Sequence, residues 1–335
     1  MKIKNPKKVN ERKPKTDLST LRLSQSAISR FQECRQKAKL VLEGWYSTKP
    51  VTALRYGKHF HAGLEAVTAE SMRIKSPPSD EFIDLAMGKI FQNWKLDFEK
   101  SSEKPRKEKD LQSIRETVQA EMFLIASSLK QYVKYYKSDF NGKKNWTSLE
   151  KKFEVAYKGI TLLGYIDAVY EEKKRHHIFE TKTRSKVSGD MVDILHLDFQ
   201  TFFYIHGFYL ATGIFPVGIS YNVVKKFQCK IKVDESAQEY AKRYEIDIAA
   251  RPDFYFTRIN AEITKKEYIE WVKDNLDPLI DDYKDWRSGK GRHYCNTTNC
   301  DGKYGSCDFL PICSIGNYQG FKKKDFKKGK GGEKQ

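Results

Sequence analysis

The sequence predicts an α/β fold in which one core of strands and covering helices carries a helical insertion. Three observations support this fold class. Apolar residues recur at helical spacing up to about residue 137, change to a period of two at residue 151, and then alternate between the two patterns to about residue 287. No internal repeat is visible. At 335 residues the chain is long enough to bury a large core.

The first predicted helix begins after Ser24 and runs to Gly44. Serine is a preferred residue before the first turn of a helix, and glycine readily adopts the left-handed conformation that ends one. Apolar residues at helical spacing within this segment place Cys34 on the buried side of the helix.

A second helix is predicted to end near residues 76–80 and to place His61 and Glu65 one turn apart, beside its apolar stripe. Two long helical patterns follow, separated by a charged segment. We expect them to form the helical insertion, at about residues 80–137.

A meander of three strands is expected next, in the segments KKFEVAYKG, ITLLGYIDAVYEE and HHIFETKT. The period of two puts Asp167 on a face too apolar for a fully solvated surface, so its carboxylate is expected to be half-buried. Glu180 and Lys182 share one face of the following strand. If the hairpin closes through residues 171–176, strand pairing brings that face alongside Asp167.

Two carboxylates and one ammonium group in a small volume suggest a site for a hard divalent cation. The carboxylates repel each other unless a metal ion or a proton intervenes, and oxygen ligands suit Mg²⁺ or Mn²⁺. Lys182 is expected to start as a cation that stabilises charge on an attacked phosphate or orients water, although desolvation could lower its pKa into the range of a base. A Glu-x-Lys pair by itself is most often a solvated strand face.

The next predicted helix carries Gln200 and Tyr204 four residues apart, so the two polar tips share one edge of a phenylalanine-rich helix. The phenylalanines recur at helical spacing and are predicted to be core residues. A further strand follows Gly213, and helices near residues 235–250 and 264–287 enclose another short strand.

Four short motifs occur in this order: Gly57-Lys-His-Phe-His61, Gly164-Tyr-Ile-Asp167, Glu180-Thr-Lys182 and Gln200-Thr-Phe-Phe-Tyr204. Each motif is weak alone. Together, over about residues 24–225, they resemble the ordered motifs of the RecB-like branch of the PD-(D/E)XK nuclease superfamily. His61 is favoured over His59 because its distance from Gly57 matches the spacing in that family.

The resemblance implies a restriction-endonuclease-like fold, with a mixed central sheet flanked by helices, and a site for Mg²⁺ or Mn²⁺. The implied metal ligands are His61, Asp167, Glu180 and the carbonyl of Thr181. The implied catalytic group is Lys182, Glu180, Asp167, Gln200 and Tyr204. In this group Lys182 acts on the phosphate, while Gln200 and Tyr204 support the lysine and the DNA.

The cysteines allow two interpretations. Four of them follow one another near the C-terminus, at Cys295, Cys300, Cys307 and Cys313, and could form a self-contained Zn²⁺ site. The other interpretation rests on resemblance to AddB-type and CRISPR-associated relatives of RecB. It joins Cys34 to Cys300, Cys307 and Cys313 around a [4Fe-4S] cluster that staples both chain ends, and leaves Cys295 unused.

We favour the iron-sulfur interpretation, because Cys34 precedes the nuclease motifs as in those relatives. The five-residue gap between Cys307 and Cys313 also matches their last pair, whereas the six-residue gap after Cys300 is longer than their usual two. Cys229 is expected to be a small buried apolar residue.

The chain contains 62 Lys and Arg residues against 44 Asp and Glu, a formal net charge of +18. Such a surplus favours a polyanion such as nucleic acid as the partner. Residues 1–17 and 321–335 each hold seven basic and two acidic side chains. We therefore expect a disordered basic arm at 1–20, one nuclease domain at 21–315 with its cysteine cluster at 295–313, and a disordered basic tail at 316–335.

No apolar run approaches the roughly 20 residues that span a membrane, and no segment of signal-peptide type follows the basic N-terminus. We expect a cytoplasmic protein of a bacterial cell or a phage-infected host, without a membrane partner. No P-loop pattern is present, so any helicase or recombination partner is expected to be a separate protein.

The favoured function is that of a metal-dependent DNA nuclease, in particular an exonuclease acting on single strands or duplex ends in recombination, repair or phage DNA processing. One alternative is a non-catalytic nucleic-acid-binding protein on a nuclease-like scaffold, against which the complete motifs argue. The other is a zinc-stabilised adaptor in a larger complex, suggested by the cysteines and the basic arms alone.

Overall fold

The computed structural model describes residues 20–48, 52–101, 108–184, 189–302 and 305–324. Its helices are, in chain order, α1 (Gln25–Glu33), α2 (Arg35–Leu42), α3 (Thr52–Ile74), α4 (Asp80–Ser101), α5 (Glu108–Tyr135), α6 (Lys137–Phe140), α7 (Met191–Leu195), α8 (Phe199–Thr212), α9 (Ala237–Ala250), α10 (Pro252–Tyr255), α11 (Lys265–Trp271), α12 (Asp277–Arg287) and α13 (Leu310–Ile315). Its strands are β1 (Arg22–Ser24), β2 (Trp45–Ser47), β3 (Asn145–Tyr157), β4 (Ile160–Glu172), β5 (Arg175–Arg184), β6 (Gly218–Lys225), β7 (Phe256–Glu262), β8 (Asp301–Gly302), β9 (Gly305–Ser306) and β10 (Phe321–Lys323). The predicted α/β class is confirmed.

The chain divides into two compact units. The first contains the described residues of Met1–Lys49, Glu154–Leu163 and Ile269–Gln335. The second contains those of Pro50–Phe153 and Gly164–Tyr268. Three of the four boundaries between the units fall within β3, β4 and α11, so these elements contribute residues to both.

The second unit is built on a mixed sheet, as expected. In this sheet β4 and β5 are antiparallel, β5 and β6 are parallel, and β6 and β7 are antiparallel, while β3 pairs with β4. A two-residue turn, Lys173–Lys174, closes the hairpin between β4 and β5. Both lysines have positive φ, 51° and 63°, as a type I′ turn requires. In the first unit, β1 runs parallel to the first residues of β4.

An extensive apolar core of the second unit lies among α3, α4, α5 and α9 and against β6 and β7. The predicted stripe of α3 is part of it, with Phe60 and Val67 fully buried. The insertion predicted at about 80–137 corresponds to α4 and α5. Their apolar faces bury Met87, Ile125 and Leu129 in this same core, so the insertion is an integral part of the second unit.

The ring of Phe153 lies between two glycines. A Cβ atom added to Gly164 on β4 would lie 2.6 Å from this ring, and one added to Gly207 on α8 would lie 2.3 Å from it. Non-bonded carbon atoms do not approach so closely, so only glycine fits at either position. Gly164 and Gly207 therefore let α8 pack closely on the sheet, with Phe153 between them.

In the first unit, Ser24 caps α1 by accepting a hydrogen bond from the amide of Ala27, as predicted. The single helix expected up to Gly44 is instead two helices. The chain breaks at Cys34, which has extended backbone angles (φ −165°, ψ 116°). Cys34 is half-buried at this break instead of lying on a buried helix face. The amide of Cys34 still donates to the carbonyl of Arg30 and its carbonyl accepts from the amide of Ala38, while the extended angles turn its thiol towards the C-terminal cysteines.

Two further expectations need correction. Cys229 is exposed, because the segment around it forms no strand and its apolar neighbours Ile231 and Val233 are exposed as well. The basic tail does not begin at residue 316, since β10 pairs antiparallel with β2. The predicted arm before residue 20 and the tail after residue 324 lie outside the described residues.

Within the described chain, no helix combines the length and the apolar character needed to cross a membrane.

Candidate functional site

The end of the pairing between β4 and β5 creates the place where the predicted acids meet. The ladder of the two strands ends at the pair Ala168–Phe179, so Asp167 and Glu180 are the next residues on either side. Asp167 is half-buried, and its Oδ2 accepts a hydrogen bond of 2.8 Å from the amide of Thr181. A side chain thus replaces the backbone partner that the ladder no longer supplies.

His61 reaches the same carboxylate from α3. Its Nδ1 lies 3.3 Å from Oδ2 of Asp167. The helix approaches β5 closely at Gly57, where an added Cβ would lie 3.2 Å from Oγ1 of Thr183. His59 is buried elsewhere, with Nδ1 3.3 Å from Glu121 on α5. Of the two histidines, His61 is therefore the one that the structure brings to the acids.

Glu180 is almost completely buried, with 3% of its surface exposed. Its Oε1 accepts hydrogen bonds from Nζ of Lys182, at 2.6 Å, and from Nε2 of Gln200 on α8, at 2.8 Å. Its Oε2 is buried and has no hydrogen-bond partner among the described residues. A buried carboxylate oxygen without a partner is costly, and a bound cation is one group that satisfies it.

The charges of the site perturb one another. Burial and the negative charge of Asp167 raise the pKa of Glu180 to about 7, although Lys182 opposes this shift. The pKa of Lys182 is raised, because the charge of Glu180 and its hydrogen bond outweigh the effect of burial. Burial alone lowers the pKa of His61, but Asp167 and Glu180 reverse this and raise it. The site thus holds more negative charge than its one lysine neutralises.

Tyr204 stands one helical turn after Gln200 on α8. Burial, followed by the nearby charge of Glu180, raises the pKa of its phenol, so the hydroxyl stays protonated. Its side chain is hydrogen-bonded to Gln200. The ring meets Phe153 edge to face, with the centroids 6.2 Å apart. Gln200 and Tyr204 therefore form a connected pair that fixes the position of the carboxylate of Glu180.

A small cavity of about 20 Å³ opens beside Asp167. Its polar lining includes His61, Asp167, Thr181, Glu65 and Glu150. About 10–15 Å³ is enough for one water molecule, so a single ion fits this volume. No three His, Cys, Asp or Glu side chains of the described residues converge closely enough to hold a metal ion as they stand. The lining residues nevertheless suit Mg²⁺ or Mn²⁺, since the carboxylates of Asp167, Glu65 and Glu150 and the imidazole of His61 line the cavity.

A family model that describes the PD-(D/E)XK nuclease superfamily matches residues 22–314. The chain belongs to the PD-(D/E)XK nuclease superfamily. The match covers both compact units and all four motifs. A comparison with curated proteins found no match.

Sequence patterns missed one acid of this PD-(D/E)XK site. Glu150 lies in β3 with a positive φ of 44°, an uncommon angle for a residue other than glycine. Partial desolvation, followed by the charges of Asp167 and Glu65, raises its pKa to about 7. The sequence pattern closest to Glu150 is the period of two, and because this pattern starts at residue 151, Glu150 is not assigned to the predicted strand. Only the structure shows that β3 begins earlier and brings this carboxylate to the cavity.

The first unit of the PD-(D/E)XK chain brings together the cysteines of residues 34 and 295–313. The amide of Asn296 donates a hydrogen bond of 3.4 Å to Sγ of Cys34. Burial raises the pKa of Cys313, and the neighbouring Cys295 raises it further through its charge and a side-chain hydrogen bond. Cys300 is perturbed in the same direction, by desolvation and then by Cys307, Cys34 and Cys295.

Cys295, expected to be unused, thus lies among the other four thiols. All five are free cysteines. The amide of Cys307 also donates a hydrogen bond of 2.9 Å to the carbonyl of Cys300, which holds these two residues together. Clustered thiols that raise one another's pKa suit a soft metal ion or an iron-sulfur cluster, whose positive charge would stabilise the thiolates.

Proposed function

We propose that this chain is a metal-dependent nuclease that hydrolyses phosphodiester bonds of DNA. The observation that carries this proposal is the junction of β4 and β5, where Lys182 contacts one oxygen of Glu180 and the other oxygen is buried without a partner in the part of the chain that the structure describes. A buried carboxylate with one oxygen that lacks a hydrogen-bond partner is suited to binding a cation. Membership of the PD-(D/E)XK superfamily agrees with this chemistry.

The proposed metal is Mg²⁺ or Mn²⁺, held by His61, Asp167, Glu180 and the carbonyl of Thr181. When bound, such an ion neutralises charge on the attacked phosphate and lowers the pKa of water. The hydrogen bond from the amide of Thr181 to Asp167 fixes that carboxylate, and the α3 backbone at Gly57 sets the position of His61. The protein thus supplies a rigid donor set on two strands and one helix.

The proposed role of Lys182 is electrostatic. Its raised pKa keeps the ammonium group protonated, so it acts as a donor to the phosphate oxygens or to the attacking water and is unsuited to the role of a base. Glu180 holds the ammonium at 2.6 Å and Gln200 holds Glu180 in turn. Tyr204 completes this chain of contacts, so Gln200 and Tyr204 act as positioning residues.

The test of the proposal is digestion of DNA by the wild type and by Lys182→Ala. End-labelled single-stranded DNA, end-labelled duplex and a closed circle are incubated with Mg²⁺, with Mn²⁺ or with a chelator. We expect cleavage that requires the metal and falls by about 100-fold or more in Lys182→Ala, as for loss of a charge-stabilising donor. Lys37→Ala, which removes an exposed pair with Glu33, is the control and retains full activity.

The result also separates the alternatives. Degradation of linear substrates with an intact circle supports an exonuclease, and cleavage of the circle supports an endonuclease. Binding without cleavage under every metal condition would favour a non-catalytic nucleic-acid-binding protein and would contradict the proposal. A role in recombination, repair or phage DNA processing, and a separate helicase partner, remain predictions from the resemblance.

We further propose that Cys34, Cys300, Cys307 and Cys313 hold a structural [4Fe-4S] cluster, with Zn²⁺ as the alternative. The proximity of the cysteines to one another in the first unit supports a shared ligand site. Iron, sulfide and zinc analysis of protein purified without oxygen distinguishes the two groups. Iron with equivalent sulfide and a brown colour supports the cluster, whereas one zinc per colourless chain supports the alternative.

A further inference from the structure

Arg184 ends β5, two residues beyond Lys182. Because successive side chains of a strand alternate between its faces, Glu180, Lys182 and Arg184 lie on the same face. The Cα atoms of Lys182 and Arg184 are separated by about 6.6 Å on this geometry. Arg184 is exposed, whereas Glu180 is buried. Along this face, the side chains therefore run from the buried Glu180 through Lys182 to the exposed guanidinium group of Arg184 at the edge of the site.

The guanidinium group is held in place by a buried residue of the next strand. Nη2 of Arg184 donates a hydrogen bond of 2.8 Å to the hydroxyl of Tyr221, and Nη1 lies 3.9 Å from Sδ of Met191. Tyr221 is 4% exposed and is the β6 partner of Glu180 in the parallel ladder. The anchor of Arg184 thus belongs to the same rigid part of the sheet as the candidate active site.

Arg184 differs from most arginines of the chain in its partners. Arg35, Arg175 and Arg251 each pair with a carboxylate, at 2.5 to 2.8 Å. Arg184 contacts a phenol and a thioether, and no acid among the described residues pairs with it. Its positive charge is therefore fixed in position but not neutralised. An exposed, preorganised guanidinium group is well suited to the oxygens of a phosphate.

The neighbouring cations of this sheet edge are held differently. Lys225, the ladder partner of Arg184, lies with Nζ 4.1 Å from the ring centre of Phe254. Nζ of Lys226 lies 4.7 Å from the ring centre of Tyr56. Both lysines add positive potential to the edge, but their ammonium groups are directed to aromatic rings. Among the described cations of this edge, Arg184 is the one that lies on the same strand as Lys182 and is held by a hydrogen bond to a hydroxyl group.

We propose that Arg184 binds a backbone phosphate of the nucleic-acid strand next to the phosphate attacked at Lys182. This inference rests on the proposed nuclease function and extends it, since it names a substrate-binding residue outside the four motifs. A contact to phosphate carries no base information, so it sets the register of the strand on the site without selecting a sequence. Tyr221 is its positioning residue.

The test compares Arg184→Ala with Arg175→Ala, an exposed arginine at the opposite end of β5 that pairs with Glu262. Binding of labelled single-stranded oligonucleotides of different sequence is measured at several salt concentrations, with Ca²⁺ in place of Mg²⁺. We expect Arg184→Ala to weaken binding about tenfold for every sequence, the loss of one charged hydrogen bond. It should also lower the salt slope by about 0.7, the value for one released phosphate contact on a single strand.

Two further variants separate positioning from charge. Arg184→Lys keeps the charge and is expected to restore the salt slope but only part of the affinity, because an ammonium group lacks the planar fork. Tyr221→Phe keeps Arg184 but removes its anchor, and is expected to raise KM more than it lowers kcat. Thermal unfolding of each variant verifies that the fold is retained.

Equal binding by the Arg184→Ala and Arg175→Ala proteins, or an unchanged salt slope, would overturn the inference. These outcomes are independent of cleavage. A wild type that binds DNA through Arg184 but does not cut it contradicts the proposed nuclease function and leaves the phosphate contact standing. A wild type that cuts DNA while Arg184→Ala binds normally contradicts only the present inference.

Discussion

Glu180 and Lys182 are joined through one carboxylate oxygen only. Oε1 of Glu180 lies 2.6 Å from Nζ of Lys182, while Oε2 is buried without a hydrogen-bond partner among the residues described. The lysine therefore balances the charge of the carboxylate but contacts only Oε1, so Oε2 stays available to a cation. A simple structural ion pair would be expected to satisfy both oxygens, because buried polar atoms are nearly always paired.

This relationship predicts strong coupling between the two residues in stability. Lys182→Met leaves the buried carboxylate without its cation and should lower the free energy of unfolding by about 1–3 kcal/mol. Glu180→Gln removes the charge that the lysine balances. In the double variant both charges are gone, so its loss should be smaller than the sum of the single losses by about 0.5–3 kcal/mol. Urea unfolding of the four proteins in chelator measures this coupling, and additive losses would show that the contact is not formed.

The two histidines of α3 are predicted to affect different properties. His61→Ala removes an imidazole from the cavity, so the Mg²⁺ or Mn²⁺ concentration that gives half-maximal thermal stabilisation should rise at least about tenfold. His59→Ala should leave this concentration unchanged and instead lower the melting temperature, because the half-buried Glu121 loses a hydrogen-bond partner.

Differential scanning fluorimetry over a metal titration measures both effects in the absence of DNA. The two variants are matched controls for each other, since they remove the same side chain from different sides of one helix, two residues apart. Equal metal dependence of His61→Ala and the wild type would exclude His61 as a ligand.

Two helix glycines, Gly207 and Gly88, are predicted to respond to alanine in opposite ways, because only Gly207 is packed against a neighbouring side chain. Gly207→Ala puts a methyl group 2.3 Å from the ring of Phe153 and should lower stability by about 1–3 kcal/mol through overpacking. Gly88→Ala, on α4, meets no atom within 4 Å and should raise stability by up to about 1 kcal/mol, because alanine favours the helix.

Thermal or urea unfolding compares the two variants with the wild type. The strained Gly207→Ala variant should also lose nuclease activity, since the same ring supports Tyr204. If Gly207→Ala were as stable as Gly88→Ala, the close packing of α8 on the sheet would be incorrect.

The cysteine cluster predicts which thiol completes the metal site. The proposed ligand set contains Cys300 and omits Cys295, and Cys300 is half-buried with its pKa raised by desolvation and then by Cys307 and Cys34, so Cys300→Ser should lower the content of bound iron or zinc while Cys295→Ser should not. Cys229→Ser, at an exposed position in the second unit, is the control. Metal analysis and the visible spectrum of anaerobically purified protein provide the measurement. The reverse result would assign the fourth ligand to Cys295, whose side chain is hydrogen-bonded to Cys313.

Much of this architecture could be predicted from local patterns. The period-two segments became β4 and β5, and the predicted hairpin closure brought Asp167 next to Glu180. The pattern failed where backbone geometry departs from a regular period. Cys34 breaks a helix that its neighbours favour, and Glu150 enters a strand at a positive φ. Neither change of backbone conformation can be recognised from the hydropathy pattern of the side chains.

The sequence by itself determined which motif residues share a face. Strand alternation places Glu180 with Lys182, and helical spacing places Gln200 with Tyr204. The sequence also accounts for the strong positive charge and the choice of donor atoms. Only the tertiary structure decided that one oxygen of Glu180 finds no hydrogen-bond partner among the described residues and that Tyr221 anchors Arg184. These features depend on contacts between segments distant along the chain, and periodicity describes only the neighbours of a residue within its own segment.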